Sequence, residues 1–209
     1  ESKKYVMCYG SVSDINEEEK KIKKNIVKNK SGNLFSSLLE HYEINMQTVM
    51  LNKDYIFNNQ LSFNENMSFC PDHNLFMTVA SQSDIGVIID IVAKYRVVEN
   101  SLSKKTIDIA SKEYRFTLDA ISQARPLLKK KFANEFTSAY RKAMFYEIVA
   151  DIYHNQKKEA RNKLRKIYKS VSYTHLRAHE TDSYLVCRLL LEKTQMCQRC
   201  RAGERASGE

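Results

Sequence analysis

The chain has 209 residues, 34 Lys+Arg against 25 Asp+Glu, a net charge of +9 and 43% apolar residues. That length suits one domain or one and a half, and the apolar share is enough for a packed core, which excludes disorder throughout. Five Gly and two Pro are too few for a collagen-like chain or a loop-rich sandwich, and no apolar run approaches the roughly 18 residues of a membrane span. Glu1-Ser2-Lys3-Lys4 lacks Met and an apolar signal core, so the chain is expected to begin inside a longer protein.

Tyr5-Val6-Met7-Cys8-Tyr9 is a short apolar run of strand character, followed by Gly10 and a polar stretch through Asp14, Asn16 and Glu17. Six lysines follow between Lys20 and Lys30. No aromatic residues interleave with them, so a solvated face or mobile loop is expected rather than a nucleic-acid contact. Leu34, Phe35, Leu38, Leu39 and Tyr42 recur at helical spacing behind Ser31-Gly32-Asn33 as cap. Thr48 to Leu51 is a short strand candidate, and Phe63-Asn64-Glu65-Asn66 is turn-like. Leu75, Phe76, Val79 and Ala80 predict a helix entered through Pro71 and Asp72, Pro suiting its first turn and Asp its cap. Gly86 to Ala93 is β-branched and leads into Tyr95-Arg96-Val97-Val98, giving one or two strands.

After Ser103 the pattern becomes helical. Ile107, Tyr114, Leu118 and Ile121 form one stripe. Phe132, Phe136, Tyr140, Met144, Ile148 and Ile152 form another, with Pro126 between them. Ala160, Leu164 and Ile167 suggest a third helix with Lys and Arg outside.

From Val171 the texture changes: Arg replaces Lys and the periodicity stops. Val171-Ser172-Tyr173-Thr174-His175-Leu176-Arg177-Ala178-His179-Glu180-Thr181 resembles a translated transposon-end sequencing adapter. Leu185-Val186-Cys187-Arg188-Leu189-Leu190-Leu191-Glu192 resembles the flow-cell end, with an index-sized gap between the two. Residues 171–209 are therefore excluded as a non-native tail. The exclusion removes His175 with His179, four apart like two metal ligands on a helix, and the Cys197-x-x-Cys200 pair. Cys8 and Cys70, all that remain, make no disulfide framework, so a reducing compartment is expected.

The chemistry-bearing residues are few. There is no P-loop, G-x-G-x-x-G, H-E-x-x-H or G-x-S-x-G pattern. His41, at the end of a helix pattern, and His154, on a polar side, read as surface residues. The dense spot is Cys70-Pro71-Asp72-His73-Asn74-Leu75-Phe76. There Asp72 reads first as a helix cap, and His73 as a solvent-facing residue of the first turn.

The order of pieces from Leu34 to Ser103 resembles the second half of the catalytic domain of family 2 glycosyltransferases, which have the GT-A fold. A helix at Leu34–Leu39 precedes Ile44–Met50, which resembles the family's strand after the sugar-nucleotide half. Phe63-Asn64-Glu65-Asn66-Met67 is similar to its Phe-Asp-Glu-x-Leu step. Pro71 to Ala80 is similar to its Glu-Asp-x-x-Leu-x-x-Arg-x-Ala helix start, and Tyr95 to Ser103 to its Tyr-Arg-x-His-x-x-Ser-x-Ser motif. The family's Glu, Arg and His fall on Pro71, Thr78 and Val98.

The resemblance implies an α/β fold: residues 1–103 as the C-terminal, acceptor-side part of a Rossmann-like GT-A domain, and 104–170 as a helical C-terminal region. It implies an inverting transferase that moves a sugar from a nucleotide-sugar to the hydroxyl of a glycan or lipid-linked acceptor, in bacterial surface-glycan synthesis. Asp72 would be the catalytic base, kept ionised by the helix dipole. A divalent cation, Mg or Mn, would be held by an Asp-x-Asp motif upstream of Glu1, leaving this piece inactive alone and with an open sheet edge and an uncovered apolar face. The implied location is cytoplasmic, at the inner face of the membrane, with no nucleic-acid partner. The competing expectation is a basic helical interaction module, residues 104–170, that binds an anionic membrane surface or partner without catalysis.

Overall fold

The computed structural model describes residues 5–98 and 107–169. The chain forms two compact units, Glu1–Tyr146 and Glu147–Glu209.

The first unit is mixed α/β. It is built on a small four-stranded sheet whose central strand is β1 (Met7–Ile15). β4 (Ile85–Arg96) runs parallel to β1 along its whole length. A strand has two edges, so the antiparallel partners share the other one: β3 (Met50–Leu51) at Met7 and Cys8, and β2 (Lys21–Asn25) at Val12 to Ile15. β1 thus extends well past Tyr9, into the polar stretch that the sequence pattern places outside the sheet. Pairing on both edges carries Ser11 and Ser13 into the interior. The Ser11 hydroxyl donates to the Ile89 carbonyl at 2.6 Å and accepts the Val27 N–H at 3.1 Å, so its polarity is used internally. The register of β4 slips twice, between Gly10 and Val12. A Cβ on Gly10 would lie 2.7 Å from a Val92 methyl, so any larger residue there would force Val92 aside.

Lys21, Lys23 and Lys24 lie on exposed β2, a solvated strand rather than a loop. The strand expected over Thr48–Leu51 shrinks to the two residues of β3, behind a 3₁₀ turn at Met46–Thr48. The stretch from Gly86 is one strand, β4, not two.

Helix α1 (Phe35–Glu40) buries Phe35, Leu38 and Leu39, as its spacing predicts. Its N-cap is Leu34, without a side-chain cap; Gly32 instead bridges both ways to Ile85. A short helix, α2 (Lys53–Asn58), has no periodic stripe that predicts it. The turn at Asn64 forms, its carbonyl accepting the Met67 N–H at 3.0 Å. α3 (Pro71–Ala80) packs against α4 (Ile107–Ala124), which is followed by the short α5 (Pro126–Lys131) that Pro126 opens.

α6 (Ala133–Tyr153) contains the every-fourth-residue stripe. Four residues turn a helix through about 400°, so such a stripe drifts about 40° per step. Ala139 and Ala143 therefore share the buried face with Phe136. Phe35 packs edge-on against Phe132 and Phe136, ring centres 6.0 and 5.9 Å away, each contact worth about 0.5–1.5 kcal/mol beyond burial. Because α3, α4 and most of α6 belong to the unit holding the sheet, the compact division falls at Tyr146 rather than near Ser103.

In the second unit, α7 (Lys157–Lys169) buries Ala160, and Lys163 bridges Asp151 at 2.9 Å and Glu147 at 3.7 Å. Lys158, Arg161, Arg165 and Lys166 are exposed. The motif residues 99–103, the side chains of Ile107 and Ile167, and the whole of 171–209 lie outside the described residues. No helix among the described residues is long and apolar enough to cross a membrane.

Candidate functional site

Half-buried Glu43 and buried Glu113, both of the first unit, together with Asp72, show what each environment does to an acid. Glu43 accepts the Tyr9 hydroxyl at 2.7 Å, the amides of Lys28 and Asn29 at 2.9 and 3.1 Å, and the Asn29 side chain at 2.9 Å. Burial pushes its carboxyl up, but these hydrogen bonds outweigh it and hold Glu43 below the ordinary range. Such a group is a structural anchor and a poor base. Glu113 likewise uses its oxygens on backbone amides, those of Ser68, Phe69 and Cys70.

Asp72 differs. The N-cap of α3 is Cys70, with no side-chain cap hydrogen bond, and Pro71 fills the first helical position. Asp72 therefore stands inside the first turn, beyond the cap position the sequence suggests. Burial raises its carboxyl above the usual range, and hydrogen bonds from the His73 amide and its own only partly offset that. Burial thus opposes the helix dipole and the amides, which favour the ionised form, and outweighs them in setting where Asp72 titrates. A carboxylate of raised pKa is a stronger proton acceptor near neutral pH than an ordinary one.

His73 is not solvent-facing. It is 4% exposed, because positions 73, 76, 77 and 80 share one helical face and that face is the core. Its ring packs 4.7 Å from Tyr42 and 4.3 Å from Tyr114, measured between centroids. Burial, helped by the Lys142 charge, pulls His73 down to about 3, so it is neutral at physiological pH. His73 Nδ1 and the Tyr42 hydroxyl are buried without a partner beside a small cavity that Lys142 also lines. Burial pushes the Tyr42 and Tyr114 hydroxyls up, with the Asp72 charge adding to the effect on Tyr42. Burial also pushes up the Cys70 thiol, which is therefore no nucleophile at neutral pH.

Of the other motif positions, the Thr78 hydroxyl donates to the Asn74 carbonyl at 2.7 Å within its own helix, and Val98 is exposed just past the end of β4. Neither lends Asp72 a charge. His41 and His154 are exposed, as expected. Among the described residues no three His, Cys, Asp or Glu converge to hold a metal ion. The described residues thus offer no site for the divalent cation that the resemblance implies.

Sequence reasoning does not single out Glu113, Tyr42 or Tyr114 as site residues. Nothing in their spacing ties them to Asp72; the only hint is a helix, α4, whose buried face also carries Ser111, Glu113 and Thr117. No family model matches the chain, and neither a curated protein nor a solved structure matches it.

Proposed function

We propose that the chain is the acceptor-side part of a family 2, GT-A-type inverting glycosyltransferase, with Asp72 as the base that takes the proton from an acceptor hydroxyl. The observation that carries this reading is the state of Asp72: a partly desolvated carboxylate of raised pKa, in the first turn of a helix, unlike Glu43 and Glu113, whose oxygens are occupied by several donors. The order of motifs around it supports the same reading. As the hydroxyl oxygen attacks the anomeric carbon, its proton moves to Asp72 and the nucleoside diphosphate leaves from the opposite face. The donor-gripping strands and the Asp-x-Asp motif then belong to sequence before Glu1.

Two tests follow. An independent assembly should extend the reading frame and show an Asp-x-Asp within about 100 residues before Glu1, the scale of half a catalytic domain; its absence contradicts the reading. In the extended protein, Asp72→Asn should lower sugar transfer roughly 10²–10⁴-fold and spare nucleotide-sugar binding.

A second reading, a basic module at an anionic membrane surface, is favoured by α7, whose exposed side carries Lys158, Arg161, Arg165 and Lys166. Flotation with anionic vesicles, comparing the chain with a variant in which Lys158, Arg161, Arg165 and Lys166 are all changed to Gln, separates the two: binding that ignores those charges removes the second reading.

A further inference from the structure

Glu113, on α4, reaches back 43 to 45 residues along the chain. One carboxylate oxygen accepts the Ser68 N–H at 2.7 Å, and the other accepts those of Phe69 at 2.9 Å and Cys70 at 2.8 Å. The Cys70 thiol also hydrogen-bonds to this carboxylate. The three amides belong to no helix or strand, so they have no secondary-structure ladder to satisfy them. Glu113 supplies the acceptors instead, from a buried position. One turn further along both helices, the Asn74 side chain donates to the Thr117 hydroxyl at 3.2 Å. The two links bracket the first turn of α3, the turn that carries Asp72.

A carboxylate whose two oxygens accept three amides and a thiol has little capacity left to move a substrate proton. Its effect falls on what it holds. The segment ends at Cys70, the N-cap of α3, and Asp72 is two residues on. A base displaced by about 1 Å loses much of its rate advantage, so the anchoring of this turn bears on the chemistry of Asp72.

We propose that Glu113 is a positioning residue for Asp72: by tying Ser68, Phe69 and Cys70 to α4 it fixes the first turn of α3 and keeps the Asp72 carboxylate partly desolvated. The catalytic meaning of this clamp rests on Asp72 being the transferase base, while the clamp itself is measurable without activity.

The test uses Glu113→Gln in the full 209-residue chain. Gln keeps the volume and one acceptor oxygen but turns an NH2 donor toward backbone donors. The readouts are the Asp72 carboxyl titration by NMR and amide hydrogen exchange at Ser68, Phe69 and Cys70. The Asp72 shift arises from burial, not from the Glu113 charge, so its movement reports where the turn sits. The expected result is a fall of the Asp72 midpoint toward the ordinary carboxylate range, with the three amides exchanging roughly tenfold faster or more. A titration left in place in a folded variant overturns the proposal and leaves Glu113 a structural residue only.

If Glu113→Gln does not fold, exchange in the unsubstituted chain decides. The three amides should then be slowed at least about tenfold relative to an open loop, and loop-like exchange overturns the clamp. In the extended enzyme, Glu113→Gln should lower kcat with the donor KM unchanged. A clamp seen by NMR with no sugar transfer by the extended protein would remove the transferase reading and leave the clamp standing.

Discussion

The first turn of α3 and the far half of β4 belong to one compact unit and treat their surroundings in opposite ways. Around α3, polar groups are drawn inward and mostly paired: Glu113 serves three amides, Asn74 reaches Thr117, and His73 sits between two tyrosine rings. Along β4, apolar groups are left outside. Its first residues, Ile85 and Gly86, are buried, and Gly32 and Ser31 pair with its outer edge at Ile85 and Val87. From Ile88 on, β1 is its only strand partner among the described residues, and Ile89 is 66% exposed with Ile88, Ile91 and Val92 also exposed. Neighbouring residues point to opposite faces, so both faces of this half are uncovered. The uncovered apolar edge is a template for association in its own right.

The largest effect should come from emptying the polar side of this contrast. Glu113→Ala takes the acceptor from the buried Cys70 amide and from the part-buried amides of Ser68 and Phe69; a buried donor left unpaired costs about 1–3 kcal/mol, so urea denaturation should show a loss of that size. A loss under about 1 kcal/mol would mean that water serves those amides as well as Glu113 does.

His73 sharpens the comparison through pH. Its folded value, about 3, lies below the ordinary 6.5. Between the two values the unfolded chain binds more protons, so stability is intact above about pH 6.5 and falls progressively as pH drops toward 3. His73→Phe removes that titration and the unpartnered Nδ1 together. It should stay within about 1 kcal/mol of the parent at pH 7 and lose this part of the acid sensitivity, measured as melting temperature against pH. An unchanged slope would mean that His73 titrates as an exposed residue.

The smallest effect on folding, and the clearest on association, should come from β4. Ile89→Lys places a charge on an exposed edge and should change stability by no more than about 0.5 kcal/mol. Sedimentation should show less self-association than in the parent chain. Equal self-association would locate the sticky surface elsewhere.

Strong helical spacing makes α1, α3 and the long helices after Ser103 legible in the sequence, since each follows an apolar stripe. β1 is only half visible there, because Ser11 and Ser13 look like a loop and become interior only once strands pair on both edges. β3 is too short for any periodicity. At the candidate site, Asp72 is legible as a carboxylate opening a helix, but its protonation behaviour is not. That depends on desolvation by residues far along the chain, and no local pattern records it. His73 misleads for the same reason: the stripe beginning at Leu75 does not show that the face continues one turn back, against Tyr42 and Tyr114.

Asp72 is a carboxylate held partly out of water, and not a solvated helix cap. Titration of its side-chain carboxyl by carbon NMR in the unsubstituted chain tests this most directly. The expected midpoint lies above the ordinary aspartate value of about 3.9, in the direction that burial dictates. A midpoint at or below that value, as a dipole-stabilised cap would give, would contradict it.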